Sequence, residues 1–129
     1  MIIVSGWMNA GVVDKAFLCL LRHKLSEGVN VYIGYGWKDG RGNHAEHDTT
    51  PEVLAQLKAV QALYPDRLFI REYGAHEKLL IKDSEFVVFG SHNWLSNRRH
   101  INRERSINLY SEALANEEAE AVILRIGGA

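Results

Sequence analysis

Residues 76–93 read HEKLLIKDSEFVVFGSHN, and this stretch decides the fold of the chain. Leu, Ile, Val and Phe fill most positions on both sides of Asp83-Ser84, a residue pair typical of a tight turn. The pattern predicts two antiparallel strands, residues 77–82 and 85–90, joined by a two-residue turn. Because apolar residues occupy both faces of this hairpin, we expect protein to cover both faces.

Polar residues gather at the end of the hairpin that lies away from the turn. His76 and Lys78 are two residues apart, so an extended backbone puts both side chains on one face. A two-residue turn pairs His76 with Ser91, and Asn93 then lies on the same side, while Gly90 allows close backbone approach. This cluster suits phosphodiester chemistry, because a neutral imidazole is a nucleophile and an ammonium stabilises phosphoryl oxygens.

Outward from the hairpin, helical and strand patterns alternate along the chain. The predicted strands are residues 2–4, 29–33, 67–73, 77–82, 85–90 and 106–110. Three helices are predicted: one from the N-cap Asp14 to Gly28, one from the capping box at 49–52 to the break at Pro65, and one over 112–126. The order β-α-β-α-β-β-β-β-α indicates an α/β fold, a mixed β-sheet flanked by helices on both faces.

The first helix carries the only cysteine. Phe17, Leu20, Leu21 and Leu25 recur at helical spacing and are predicted to form its buried face. Cys19 lies in the same apolar run, so we expect a buried, unreactive thiol.

Bulk composition narrows the class of protein. The 129 residues are 47% hydrophobic and 24% charged, which indicates one globular domain over 1–129; the abrupt ends fit a domain excised from a longer chain. A net charge of -1 excludes a strongly basic nucleic-acid binder, so a local patch must hold any anionic partner. No signal peptide or membrane span is visible, which predicts a cytoplasmic protein.

The stretch 76–93 resembles the HKD signature of the phospholipase D superfamily, H-x-K-x4-D-x6-G-S-x-N. The matching residues are His76, Lys78, Asp83, Gly90, Ser91 and Asn93. Six fixed residue types at these offsets arise by chance on the order of once in a million chains of this length. Ser5-Gly6-Trp7 and residues 14–36 look like the start of such a domain, and Glu104 lies where members carry a glutamate.

The resemblance implies a two-step reaction without a required metal or other cofactor. One HKD histidine, here His76, attacks phosphorus to form a phosphohistidine, and a second HKD histidine protonates the leaving oxygen and then activates water. Glu104 would orient the His76 ring. Asp83, near the turn, should not point at the substrate; it is assigned a structural role or one of supporting the residues that touch the substrate, and so is Gly90.

This chain departs from the family pattern because it has one HKD motif where the active site needs two. Either two copies pair about a two-fold axis, or the second motif lies in a part of the natural protein outside this chain. We expect the homodimer.

Nucleic acid is the predicted substrate. Trp94 could stack on a base, and an arginine-rich stretch could hold phosphates; its members are Arg98, Arg99, Arg103 and Arg105. The alternatives are a solvated loop and a packed tryptophan. The polar segment 37–50 contains His44, His47 and Asp48, a weak metal pattern, so no metal site is predicted. A phospholipid phosphodiesterase or phosphatidyltransferase, and a non-catalytic nucleic-acid-binding domain, remain open.

Overall fold

The computed structural model describes residues 1–6, 8–36, 51–72, 78–90, 94–95 and 106–126. The strands are β1 Ile2–Ser5, β2 Val31–Tyr35, β3 Leu68–Glu72, β4 Leu79–Lys82, β5 Phe86–Gly90 and β6 Ser106–Leu109. The helices are α1 Lys15–Ser26, α2 Pro51–Leu63 and α3 Glu112–Ile126. This order confirms the predicted sequence of elements, and the bounds of α3 are the predicted ones.

The six strands form one mixed sheet in the order β3-β2-β1-β4-β5-β6. β1, β2 and β3 are parallel neighbours, whereas β4 pairs antiparallel with β1 and with β5, and β5 pairs antiparallel with β6. Parallel neighbours need crossover connections, which α1 and α2 provide. The mixed sheet is therefore confirmed.

Helices cover both faces of the sheet, as predicted. On one face, which we call the α1–α2 face, Leu21 of α1 and Leu57 of α2 share a core with Ile33. On the opposite α3 face, Val122 of α3 packs in a core with Val4. Alternation along each strand divides the side chains between the two cores.

Helix α1 begins and ends where the sequence predicts, but it buries a different face. Asp14 caps it by accepting a hydrogen bond from the Phe17 N–H at 2.9 Å, and Gly28 follows it at φ +96°. Leu18 is buried together with Leu21 and Leu25, whereas Leu20 is 57% exposed. The predictions for Leu20 and for Cys19, which is exposed, are wrong because an unbroken apolar run fits more than one helical face.

The β4–β5 hairpin differs from its prediction in register. The Glu85 N–H donates to the Lys82 carbonyl at 2.9 Å, so Asp83 and Ser84 lie at the centre of the turn as expected. The strand pairing, however, joins Lys82 to Phe86 and Leu79 to Phe89. Glu85 is an extra residue between turn and strand, and it shifts the pairing by one position.

This shift corrects one step of the site prediction. Continued by one residue, the observed register sets Lys78 opposite Gly90. The pairing of His76 with Ser91 depended on a register that the hairpin does not have, and both residues lie outside the described ranges.

No helix in the described parts of the chain is long and apolar enough to cross a membrane.

Candidate active site

A row of polar residues crosses the α1–α2 face at one end of the strands, which we call the polar edge of the sheet. Strand pairing joins Glu72 to Tyr35, Tyr35 to Ser5, and Gly90 to Ser106. Lys78 completes the row, because continuing the β1–β4 and β4–β5 registers by one residue sets it between Ser5 and Gly90. We call this set the polar row.

The next row of the same face, two residues further into each strand, is almost entirely apolar. Its members are Ile70, Ile33, Ile3, Leu80, Val88 and Asn108. The sheet therefore changes from an apolar core to polar groups within one pleat. The HKD lysine lies at that boundary, at the edge where β1, β2 and β3 end.

Lys78 is only 8% exposed. Lysine is among the residues least often buried, since removing an ammonium from water is costly unless an anion or several acceptors compensate. Because water is largely excluded here, attraction between the ammonium and a phosphoryl group bound at this position would be weakly screened.

Ser5 is the other buried polar residue of the described chain, at 1% exposed. Its Oγ accepts a hydrogen bond from the Leu95 N–H at 3.3 Å. The Leu95 carbonyl accepts from the Asn9 N–H at 3.0 Å. The start of the β1–α1 connection is therefore fastened to the segment that follows β5.

Tyr35 and Glu72 form the other end of the polar row. Burial raises the pKa of the Tyr35 hydroxyl above its ordinary value of 10.0, and the nearby Glu72 carboxylate raises it further. Both influences disfavour a phenolate, so Tyr35 can donate a hydrogen bond. It lies two strand spacings, about 10 Å, from Lys78 along the row.

Most of the predicted site residues fall outside the part of the chain that the structure describes. These are His76, Ser91, Asn93, Glu104, Arg98, Arg99, Arg103 and Arg105. The described ones are Lys78, Asp83, Gly90 and Trp94. Trp94 is half-buried, and Asp83 lies in the hairpin turn. Within the described ranges, no group of three or more His, Cys, Asp or Glu is placed to hold a metal ion.

No protein-family model matches the sequence, and no curated protein is similar to it. Solved structures are similar. A phospholipase D family member, Nuc from Salmonella typhimurium, superposes with a TM-score of 0.58 and 22% identity, covering 97% of this chain and 74% of Nuc. NucT from Helicobacter pylori gives 0.55 and 15%, covering 97% of this chain and 79% of NucT.

This chain has the phospholipase D fold. In this chain Lys78 lies at the polar edge of the sheet, because the β1–β4 register continued by one residue sets it opposite Ser5. Sequence reasoning missed the contributions of Tyr35 and Ser5 to that edge. Alternation in β1 could have put Ser5 on one face with Ile3, but only the position of β1 beside β4 brings Ser5 to Lys78.

Proposed function

We propose that the chain is a phosphodiester hydrolase of the phospholipase D superfamily that acts on nucleic acid. The observation that carries the proposal is the burial of Lys78, within an uninterrupted HKD signature, at the polar edge of a sheet with the phospholipase D fold. A buried ammonium beside a hydroxyl is suited to the charge that develops on phosphoryl oxygens during displacement.

His76 is the proposed nucleophile. Its ring nitrogen attacks phosphorus, and the bond from phosphorus to the leaving oxygen breaks as that oxygen takes a proton from a second histidine. Water then attacks the phosphohistidine as the second histidine takes its proton, and the phosphorus–nitrogen bond to His76 breaks to release the phosphate product and restore the imidazole. Lys78, Ser91 and Asn93 stabilise the phosphoryl oxygens, while Glu104 fixes the tautomer of His76.

The second histidine must come from outside this chain, which has one HKD motif. We propose that a second copy supplies its own His76 across a two-fold axis. A concentration series separates this arrangement from a missing region. Activity per chain should rise with protein concentration in step with the dimer fraction measured by sedimentation, and an active monomer would contradict it.

Nucleic acid is the preferred substrate because four arginines lie between residues 98 and 105, beside the motif. Arginine pairs with successive phosphates of a polynucleotide and needs no overall basic charge. Trp94 follows Asn93 directly and is half-buried, and we propose it as the side chain that stacks on a base.

The test is hydrolysis of single-stranded DNA, duplex DNA, RNA and phosphatidylcholine vesicles in excess EDTA. We expect cleavage of a nucleic acid by the native chain and loss of at least about 10³-fold in His76→Asn. His23→Asn is the matched control, since His23 lies on α1, 65% exposed and paired with Glu27. Cleavage of phosphatidylcholine alone would make phospholipid, not nucleic acid, the substrate. Full activity of His76→Asn would refute the mechanism.

A further inference from the structure

We infer that Ser5 is a positioning residue that holds the segment following β5 against the Lys78 end of β4. The inference deepens the proposed function and rests on it, because the segment contains Ser91 and Asn93 of the HKD motif. Ser5 lies on a different strand, β1, and nothing in the motif itself requires it.

The hydroxyl of Ser5 is buried and hydrogen-bonded. The side chain is 1% exposed, and its oxygen accepts from the Leu95 backbone N–H at 3.3 Å. A buried hydroxyl costs free energy unless it is hydrogen-bonded, and so does a buried backbone N–H. Replacing Ser5 by a residue without an acceptor would leave the N–H of Leu95 without this partner.

Leu95 is held on its other sides as well. Its side chain is 1% exposed and packs in the core of the α1–α2 face. Its carbonyl accepts from the Asn9 N–H at 3.0 Å. Ser5, the last residue of β1, and Asn9, in the β1–α1 connection, therefore bind both backbone polar groups of Leu95.

The position of Leu95 in the chain gives this contact its consequence. Leu95 follows Asn93 by two residues, and Gly90, five residues before Leu95, is fixed in β5 opposite Ser106. Ser5 is also the neighbour of Lys78 in the polar row. One side chain thus contacts Leu95, two residues after the G-S-x-N segment, and neighbours Lys78 at the same end of β1. A misplacement of about 1 Å can cost on the order of 100-fold in rate.

The experiment compares Ser5→Ala, Ser5→Thr and Val60→Ala in steady-state hydrolysis of the nucleic acid that the native chain cleaves. We expect kcat of Ser5→Ala to fall about 10- to 100-fold with KM changed by less than about three-fold. Ser5→Thr keeps the acceptor and should recover most of kcat. Val60→Ala weakens the core at α2, outside the polar row, and should leave kcat per folded molecule unchanged.

Hydrogen exchange of the Leu95 amide gives a readout that does not depend on turnover. It should be protected in the native chain, faster in Ser5→Ala and protected again in Ser5→Thr. If Ser5→Ala does not fold, Ser5→Cys, of similar size but a weaker acceptor, replaces it. The inference fails if the Leu95 amide of the native chain is unprotected. It also fails if folded Ser5→Ala, or Ser5→Cys in its place, has the same kcat as Ser5→Thr. Either result leaves the proposed function intact. A native chain without any turnover overturns the proposed function, and this inference with it.

Discussion

The two ends of the β4–β5 hairpin differ in how far they expose the charged residues of one motif to solvent. At the open end, Lys78 is 8% exposed and lies in the polar row. At the turn end, the side chain of Asp83 is 68% exposed, and its carboxylate lies 3.6 Å from the Met1 amine. The two positions are five residues, or about 16 Å, apart along an extended strand.

This separation teaches that the letters of a sequence motif need not meet in one site. If Lys78 contacts the phosphoryl group as proposed, Asp83 is too distant to touch the same group. Lys82, the last residue of β4, makes the contrast sharper. It lies on the same face as Lys78, which directly precedes β4, yet it is 48% exposed and paired with Glu85 at 3.1 Å. Position along the hairpin, not residue type, therefore decides whether a lysine is buried in the polar row or exposed to solvent.

The largest effect is expected for Lys78→Met, compared with Lys82→Met. Methionine keeps much of the length of lysine and removes the charge. Loss of a preorganised charge at the reacting phosphoryl group should lower kcat at least about 100- to 1,000-fold in Lys78→Met. Loss of an exposed ion pair should change kcat by less than about two-fold in Lys82→Met.

Steady-state hydrolysis of the cleaved nucleic acid measures both variants, with circular dichroism to establish that each is folded. Equal losses in the two lysine variants would break the comparison between the ends of the hairpin. A loss confined to KM in Lys78→Met would move Lys78 from transition-state stabilisation to substrate binding.

Local patterns predicted the elements of this fold well, for identifiable reasons. Asp14, Pro51 and Pro65 act through backbone chemistry within one helical turn, so α1 and α2 begin and end near the predicted residues. The apolar periodicity of α3 repeats over four turns and fixes its bounds at Glu112 and Ile126.

Features that depend on a neighbouring element were predicted less well. The face buried by α1 is chosen by its fit to the sheet, which buries Leu18 and exposes Leu20. Strand order brings β1 between β2 and β4 and so adds Ser5 to the site. The extra residue Glu85 shifts the hairpin by one position, and no two-residue turn pattern could signal that shift.

A moderate effect, on stability alone, is expected at the turn end. Asp83 has φ +48°, a left-handed conformation that aspartate and asparagine tolerate and β-branched residues do not. Asp83→Val should lower the free energy of unfolding by about 1–2 kcal/mol relative to Asp83→Asn. Asp83→Asn removes the charge and keeps the preference for the turn.

Urea unfolding measures the stability difference, and steady-state hydrolysis tests the functional half of the claim. Both Asp83 variants should keep kcat within about two-fold of the native chain, since an exposed charge this far away is screened by solvent. A large loss of kcat in Asp83→Asn would show that the turn end contributes to the chemistry after all.

The smallest effect is expected from Tyr35, at the far end of the polar row from Ser106. Its pKa in the folded chain is raised by burial first and by the Glu72 carboxylate second, whereas the unfolded chain titrates near the ordinary value of 10.0. As pH rises above that value, the unfolded chain therefore loses this proton before the folded chain does. Stability that is fully present below pH 10 is lost progressively until the folded Tyr35 itself titrates.

Thermal unfolding across the alkaline range should show a shallower loss of stability in Tyr35→Phe than in the native chain. Glu72→Gln should lower the pKa of Tyr35 only in part, because burial, the larger cause, remains. The difference in tyrosinate absorbance between the native chain and Tyr35→Phe follows that titration directly. Identical alkaline slopes for the native chain and Tyr35→Phe would mean that the polar row is open to water at Tyr35, and the contrast with the exposed turn end would then be confined to Ser5 and Lys78.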